Sequence, residues 1–319
     1  MTQEPKTLVE AIRYFADPDV TLKTMVELRW PGGVHCPTCG STDVRFLATR
    51  RIWECKEKHP KRQFSAKIGT IFEDSALPLD KWFIAIWALA NCNNGISSYE
   101  LHRATGITQK SAWFVLHRVR LAMKAGGIEK TGAHYEADES FIGGLAKNMH
   151  KHKRERAIKG TGGTGKAVVI SVIRRKTKKS PSKVRAAHIK NTSAAEIEAV
   201  VRENVKRGAN LYTDAFSGYR GLSDDYNHQV VDHAVEYVRD SIHTNGCENF
   251  FSLLKRTIKG TYVSVEPFHL GAYLDEQSFR FNEREGVDAD RFRTVLSSVM
   301  GKRLTYKELT GYGQKDEAS

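Results

Sequence analysis

The sequence predicts a mixed α/β protein: a mixed sheet covered by helices, preceded by a small strand module with paired cysteines and by a helix–turn–helix. Three observations carry this. From residue 134 onward, short apolar runs alternate with amphipathic helical patterns. Cys36 and Cys39 are followed by Cys55 and His59 across short strand-like pieces. Between residues 79 and 123 the apolar residues recur at helical spacing, broken at Gly95 and Gly106.

In chain order, residues 7–30 read as one or two helices, with Leu8, Ile12, Phe15, Leu22, Met25 and Val26 at helical spacing, closed by Pro31-Gly32-Gly33. Strand-like pieces follow at 44–49, 51–56 and 62–67. A helix over 79–91 turns Trp82, Phe83, Ile86 and Leu89 inward. Ser97 and Glu100 form a capping box for a short helix, Gly106 turns the chain, and Thr108 caps a longer helix with a stripe of Ala112, Val115, Leu116, Val119 and Met123. Strands are expected at 134–142, 166–174, 184–189, 209–213 and 229–232, and helices at 194–205, 247–259 and 267–282. These elements divide into a helical lead-in (1–30), a cysteine-bearing ribbon (31–70), a helix–turn–helix module (71–130), an α/β domain (131–285) and an extension (286–319) whose polar tail reads as disordered.

At 319 residues the chain is long enough for two or three domains with their own cores. No apolar run approaches the ~20 residues of a membrane span, and the first residues lack a secretory pattern, so a cytoplasmic, nucleoid-associated protein is expected. Five unevenly placed cysteines argue for a metal site rather than a disulfide framework. The net charge of +13 is localised: residues 145–190 hold fifteen Lys or Arg and one acid, Glu155. Such a block reads either as a solvated loop or as a surface that releases counterions from nucleic-acid phosphates, with Lys151, Lys153, Arg154 and Arg156 as its candidates.

The Cys36-x-x-Cys39…Cys55-x-x-x-His59 spacing suits one tetrahedral Zn²⁺, and a three-stranded module this small has too little core to stand without one. His35 sits too close to Cys36 to chelate; Cys92 and Cys247 read as ordinary buried thiols. On the longer helix, Gln109, Lys110, Trp113, His117 and Arg120 read as the exposed face of a recognition helix for a major groove, or else the pair is a plain helical hairpin.

Three acids carry the most specific signal. Asp138 and Asp214 each close an apolar strand-like run, where open sheets place their sites, and Glu248 opens an amphipathic helix that carries Lys255 on the same face. Carboxylates gathered this way hold two hard divalent cations, which clamp a phosphodiester on its attacked and leaving sides. Glu139 points to the other face of its strand and receives no metal role.

The stretches CPTCG, WECKEKHPKRQFSAKIGTIFEDS, KWFIAIWALANCNNGISSYELHRATGITQKSAWFVLHRVRLAM, DESFIGG, YTDAFSGY and HTNGCENFFSLLKRTIKGTY resemble a bacterial insertion-sequence transposase of the DDE type with an N-terminal zinc ribbon, the ISXO2-like group. The resemblance spans about residues 20 to 285. It implies a ribonuclease-H-like catalytic core, dependence on Mg²⁺ or Mn²⁺, and cutting and joining of double-stranded DNA at the ends of a mobile element by a homo-oligomer. Asp138, Asp214 and Glu248 would then bind the metals, with Lys255 as helper. Some members of the group carry Asn as third catalytic residue, and Asn245 stands three positions before Glu248; Glu248 is preferred as the better hard-cation ligand. An inert DNA-binding regulator and a structure-specific nuclease on the same fold are the alternatives.

Overall fold

The computed structural model describes residues 4–124, 126, 128–143, 166–231 and 242–311. The chain divides into two compact units: Met1–Met123 with Gly286–Ser319, and Lys124–Glu285. The C-terminal residues read above as an extension therefore belong to the first unit.

In the first unit, α1 (Leu8–Phe15) starts at a capping box between Thr7 and Glu10, and α2 (Pro18–Arg29) at Asp17. Ala11, Phe15 and Met25 are buried, whereas Leu8 and Ile12 of the expected inward stripe are exposed. Strands β1 (Val44–Leu47), β2 (Ile52–Cys55) and β3 (Gln63–Phe64) form an antiparallel meander. Its apolar filling is a few aromatic rings, Trp53 against Phe46, Phe64 and Trp30.

Helix α3 (Leu79–Asn91) buries Trp82, Phe83, Ile86 and Leu89 as its periodicity requires. The capping box of Ser97 and Glu100 opens α4 (Ser98–Thr105), and α5 (Gln109–Met123) follows. Gly106 between them has φ of 73°, a left-handed conformation that an L side chain would strain. Helices α9 (Asp288–Ser297) and α10 (Tyr306–Thr310) complete this unit; Phe292 of α9 packs on Phe83 and Trp87. Cys92, expected to be buried, is exposed, because it lies past the last turn of α3.

The second unit is a five-stranded mixed sheet of β4 (His134–Ile142), β5 (Ala167–Arg174), β6 (Lys183–Ile189), β7 (Asn210–Asp214) and β8 (Asn227–Val231), in the spatial order β6-β5-β4-β7-β8. The first three strands pair antiparallel, while β7 lies parallel to both β4 and β8. The crossover from β6 to β7 contains α6 (Ala194–Asn204), whose Ile197 and Val201 pack with Tyr135, Ala137, Ile170 and Val172. Two further helices, α7 (Asn245–Thr257) and α8 (Pro267–Asn282), share a second core, with Phe250, Phe251, Leu254, Leu270 and Leu274 against Val169, Ile173 and Val184. Strand alternation thus serves two cores, and β5 reads as continuous apolar sequence because both its faces are covered.

Candidate functional site

In the first unit, Cys36, Cys39, Cys55 and His59 come together with all four ligand atoms within 4.8 Å of one another. Zn–ligand bonds of 2.0–2.3 Å at tetrahedral angles place ligand atoms about 3.5–3.8 Å apart. Cys36 Sγ lies 3.4 Å from His59 Nε2, and Cys39 Sγ lies 3.6 Å from Cys55 Sγ. The histidine tautomer is set by its surroundings. The Pro60 carbonyl, 2.7 Å from Nδ1, can only accept, so Nδ1 carries the proton and Nε2 offers its lone pair to the cluster. Burial raises the Cys36 thiol, but backbone N–H groups of Cys39 and Thr38 and the neighbouring thiols outweigh it and bring it to about 6; burial pushes Cys55 up to about 11. The donor set fits a closed structural Zn²⁺ site.

In the second unit, the sheet register aligns two of the three acids. The parallel ladder pairs Glu136 with Tyr212, and two residues further along each strand stand Asp138 and Asp214. Adjacent strands lie about 4.8 Å apart, so both carboxylates stand side by side on one face of two inner strands. The Asp138 carboxylate accepts the Glu139 N–H at 2.8 Å, and the Asp214 carboxylate accepts the Phe216 N–H at 3.1 Å. Glu248 lies exposed on the first turn of α7. The cluster is electrostatically one object: burial first, then the charges of Glu139, Asp214 and Glu248, push the Asp138 carboxyl up to about 7. Like charges held together with few compensating donors are what a divalent cation relieves.

Glu139 does face away, as strand alternation demands, and accepts a 2.6 Å hydrogen bond from the Tyr219 hydroxyl. Its charge still reaches Asp138. Burial, followed by the Asp214 charge, raises its own pKa, against the lowering effect of the Tyr219 bond.

Glu136, two residues before Asp138 on the same face, was missed from the sequence. It is buried, accepts the backbone N–H of Gly246 at 2.7 Å and of Cys247 at 3.3 Å, and pairs with Arg175 Nε at 2.6 Å. A carboxylate on these orphan donors anchors the α7 N-terminus to β4. A Cβ at position 246 would come within 2.7 Å of the Glu136 carboxylate and displace it from these donors. Arg175 is fixed in turn by the His243 carbonyl at 2.5 Å and lies over the Tyr212 ring. The signal was the alternation Glu136–Asp138 inside an apolar strand, where a buried acid needs a partner.

Asn245 lies ahead of the helix expected at 247–259. It is instead an exposed residue of the first helical turn; Thr244 occupies the cap position and no side chain caps there. Its orphan donors are met from across the fold, by Glu136. Lys255 follows on the Glu248 face, with Ser252 between, while Phe251, Leu254 and Ile258 are buried.

Two residues of the expected recognition face need correcting. His117 and Arg120 are buried, because the last three turns of α5 are enclosed within their own unit. Trp113 is half-buried, packed edge-on against His117, and Gln109 donates to Ser98 Oγ at 2.9 Å. Lys110 is exposed, over the Tyr306 ring. The basic candidates Lys151, Lys153, Arg154 and Arg156 lie outside the described residues, as does the polar tail from residue 312. Among the described residues, no helix is long and apolar enough to cross a membrane.

A zinc-type cluster stands on a small ribbon, and an acidic set stands on two inner strands of a mixed sheet and the helix beside them. The profile of the ISXO2-like transposase domain matches residues 131–282, and that of the transposase zinc-ribbon domain matches residues 18–57. The chain belongs to the ISXO2-like transposase family. It is 25% identical over 301 residues to an uncharacterized protein in transposable element ISH50 of Halobacterium salinarum, covering 91% of this chain and 99% of the relative. It is also 29% identical over 104 residues to an uncharacterized transposase-like protein of Haemophilus influenzae, covering 32% of this chain and 84% of that protein. No solved structure matches significantly.

Proposed function

We propose that the chain is a DNA transposase that cleaves and joins phosphodiester bonds at the ends of its own element, with two Mg²⁺ or Mn²⁺ ions held by Asp138, Asp214 and Glu248. The observation that carries this is the parallel register that sets Asp138 beside Asp214, with Glu248 on the first turn of α7 near enough for its charge to act on Asp138. The sheet order, three antiparallel strands followed by two parallel ones, supports a ribonuclease-H-like reading of the core.

When bound, the divalent ions supply charge neutralisation and polarise the scissile phosphate. The protein's own residues do the rest. Asp138 and Asp214 share one face of neighbouring strands and fix two ligand positions. Glu248 closes the site from a helix whose start is pinned by Glu136. Lys255, two turns further along, meets a phosphate oxygen of the bound strand. Asn245 supports the site without replacing the carboxylate. The ribbon and the α4–α5 pair find the element's ends, with Lys110 and Gln109 as the side chains nearest the DNA, and the basic block adds sequence-independent affinity.

The test is cleavage of a duplex carrying the element's terminal sequence in Mg²⁺, with products separated by length. Wild type should yield nicked and joined strands. Glu248→Gln should lower the rate by about 10³-fold or more while end binding and thermal stability persist, and Asn245→Ala should cost less. Binding without cutting would identify a regulator, and cutting without joining a nuclease. A Glu248→Gln protein that cleaves normally beside a folded but dead Asn245→Ala would transfer the third role to the asparagine.

A further inference from the structure

The ladder between the two acid-bearing strands stops short of the acids. The parallel pairing of β4 with β7 ends at Glu136 and Tyr212, two positions before Asp138 and Asp214. Each acid is held on its outer side: β4 stays paired with β5 through to Ile142, and β7 with β8 through to Asp214. Between Asp138 and Asp214 the ladder itself no longer joins the two backbones.

A side-chain bond closes this fork. Directly after Asp214, whose carboxylate accepts the Phe216 N–H, the chain enters a short 3₁₀ helix (Ser217–Leu222). Its Tyr219 and Leu222 are buried in the core that holds Ile197 and Val201 of α6. Strand alternation sends Asp138 to the α7 face of β4 and Glu139 to this opposite face. There the Glu139 carboxylate accepts the Tyr219 hydroxyl at 2.6 Å. Burial first, then the Glu139 charge, push the phenol up, so the hydroxyl keeps its proton and donates. An O–H···O⁻ bond of this length lies in the charge-assisted range, roughly twice as strong as a neutral one. A buried tyrosine hydroxyl needs a partner, and a neutral one would serve it. Here the acceptor is an acid whose charge burdens Asp138.

We infer that Glu139 and Tyr219 are a positioning pair: their bond ties the segment leaving β7 to β4, and so holds Asp138 and Asp214 at a fixed separation for a divalent cation. β4 then carries one ligand and two anchors. Glu136 ties down the start of α7, and with it Glu248; Glu139 ties down the exit of β7, and with it Asp214. In this arrangement neither anchor touches the ion, and both decide where the other ligands stand. The inference rests on the reading of Asp138 and Asp214 as metal ligands.

The experiment measures Mn²⁺ binding to the zinc-loaded full chain without DNA, from the loss of the free-ion EPR signal. Tyr219→Phe removes the hydroxyl and keeps every charge. It should weaken Mn²⁺ binding by about tenfold, the lower end of what lost support behind a metal ligand costs. Glu139→Ala should lose at least as much, and Tyr219→Phe should add nothing further in that background. Glu139→Gln still accepts the hydroxyl proton and should bind Mn²⁺ more tightly than Glu139→Ala. Val201→Ala loosens the same core without touching the bond. It should lower the melting temperature and leave Mn²⁺ affinity unchanged, which separates positioning from stability. If Glu139 acts through its charge alone, Tyr219→Phe binds Mn²⁺ as well as wild type and Glu139→Gln as poorly as Glu139→Ala; either result overturns the inference. So does a Val201→Ala protein that loses as much affinity as Tyr219→Phe. Asp214→Asn separates the two levels of the reading. Mn²⁺ binding that survives Asp214→Asn overturns the metal reading, and the inference with it. Binding that needs Asp214 but ignores Tyr219→Phe overturns the inference alone.

Discussion

The Cys36–His59 cluster and the Asp138–Glu248 cluster solve opposite problems with the same device, ligands brought from separate elements. In the ribbon the four ligand atoms already stand at the spacing of a tetrahedral metal, and a neighbouring carbonyl has chosen the histidine tautomer. Sulfur and imidazole ligands stand 3.4–3.6 Å apart here without crowding like charges as carboxylates would, so the fold can assemble the site in advance. In the sheet unit the proposed ligands are like charges, one of them lifted to about 7, and no set of three acids closes to the same spacing among the described residues. A structural site can be closed and saturated by protein; a site for chemistry leaves charge unsatisfied and a side open for substrate.

The largest test of that contrast is removal of the ribbon's metal. Structural zinc contributes about 10–16 kcal/mol of apparent binding free energy in small domains, and this three-stranded sheet has little besides Trp30, Trp53 and Phe64 to replace it. Purified protein should contain about one zinc per chain. Cys55→Ser should lose it and expose the ribbon to proteolysis while the sheet unit keeps its own melting transition. Full zinc in both Cys55→Ser and His59→Ala would show that other ligands hold the metal.

Next in size is the pin between the acidic cluster and its helix. Glu136 is nearly enclosed, and Arg175 beside it is mostly so. Breaking a buried pair by neutralising one partner costs about 3–5 kcal/mol, because the other charge stays buried without compensation. Glu136→Gln should therefore lower the stability of the sheet unit by about 3 kcal/mol, read in urea. It should also reduce cleavage at temperatures where the protein is still folded, since Glu248 rides on the helix that Glu136 anchors. A Glu136→Gln protein with wild-type stability would mean that the helix dipole and Arg175 are satisfied by other groups.

How much of this was legible in the sequence follows from what each signal depends on. The ligands Cys36, Cys39, Cys55 and His59 were readable because ligand spacing is local and short. The strands of the second unit were readable because apolar runs such as Ala167–Arg174 have one physical explanation in a chain of this length. Asp214 does end its strand, as its place after an apolar run suggested, whereas Asp138 sits at the middle of β4, because the strand runs on through paired residues to Ile142. Glu136 was not readable, since its meaning comes from backbone donors more than a hundred residues away. The exposed face assigned to α5 failed at His117 and Arg120 for a related reason. Helical periodicity separates one face from another, but only tertiary packing decides that a helix is enclosed all round, with polar side chains inside. The division into units was equally invisible, because the residues from 286 onward join the first unit through long-range packing of Phe292 on Phe83 and Trp87.

The smallest effect is also the sharpest probe of the unsatisfied charge. In the folded protein Asp138 holds its proton up to about pH 7, whereas in the unfolded chain it ionises at its ordinary value near 3.8. Between those values the folded state carries a proton that the unfolded state has released, so stability falls as pH rises across the window. From pH 6 to pH 8 the folded group passes from mostly protonated to mostly ionised, which costs about 1.4 kcal/mol, or a few degrees in the melting temperature of a unit this size. Without divalent ions the transition of the sheet unit should move down between pH 6 and 8. Mg²⁺ should restore it at pH 8 and do little at pH 6, where the proton competes for the same oxygen. Asp138→Asn, which cannot ionise, should flatten both dependences. A wild-type transition that ignores both pH and Mg²⁺, or an Asp138→Asn transition that still responds to both, would place the strained charge somewhere other than Asp138, and with it the metal.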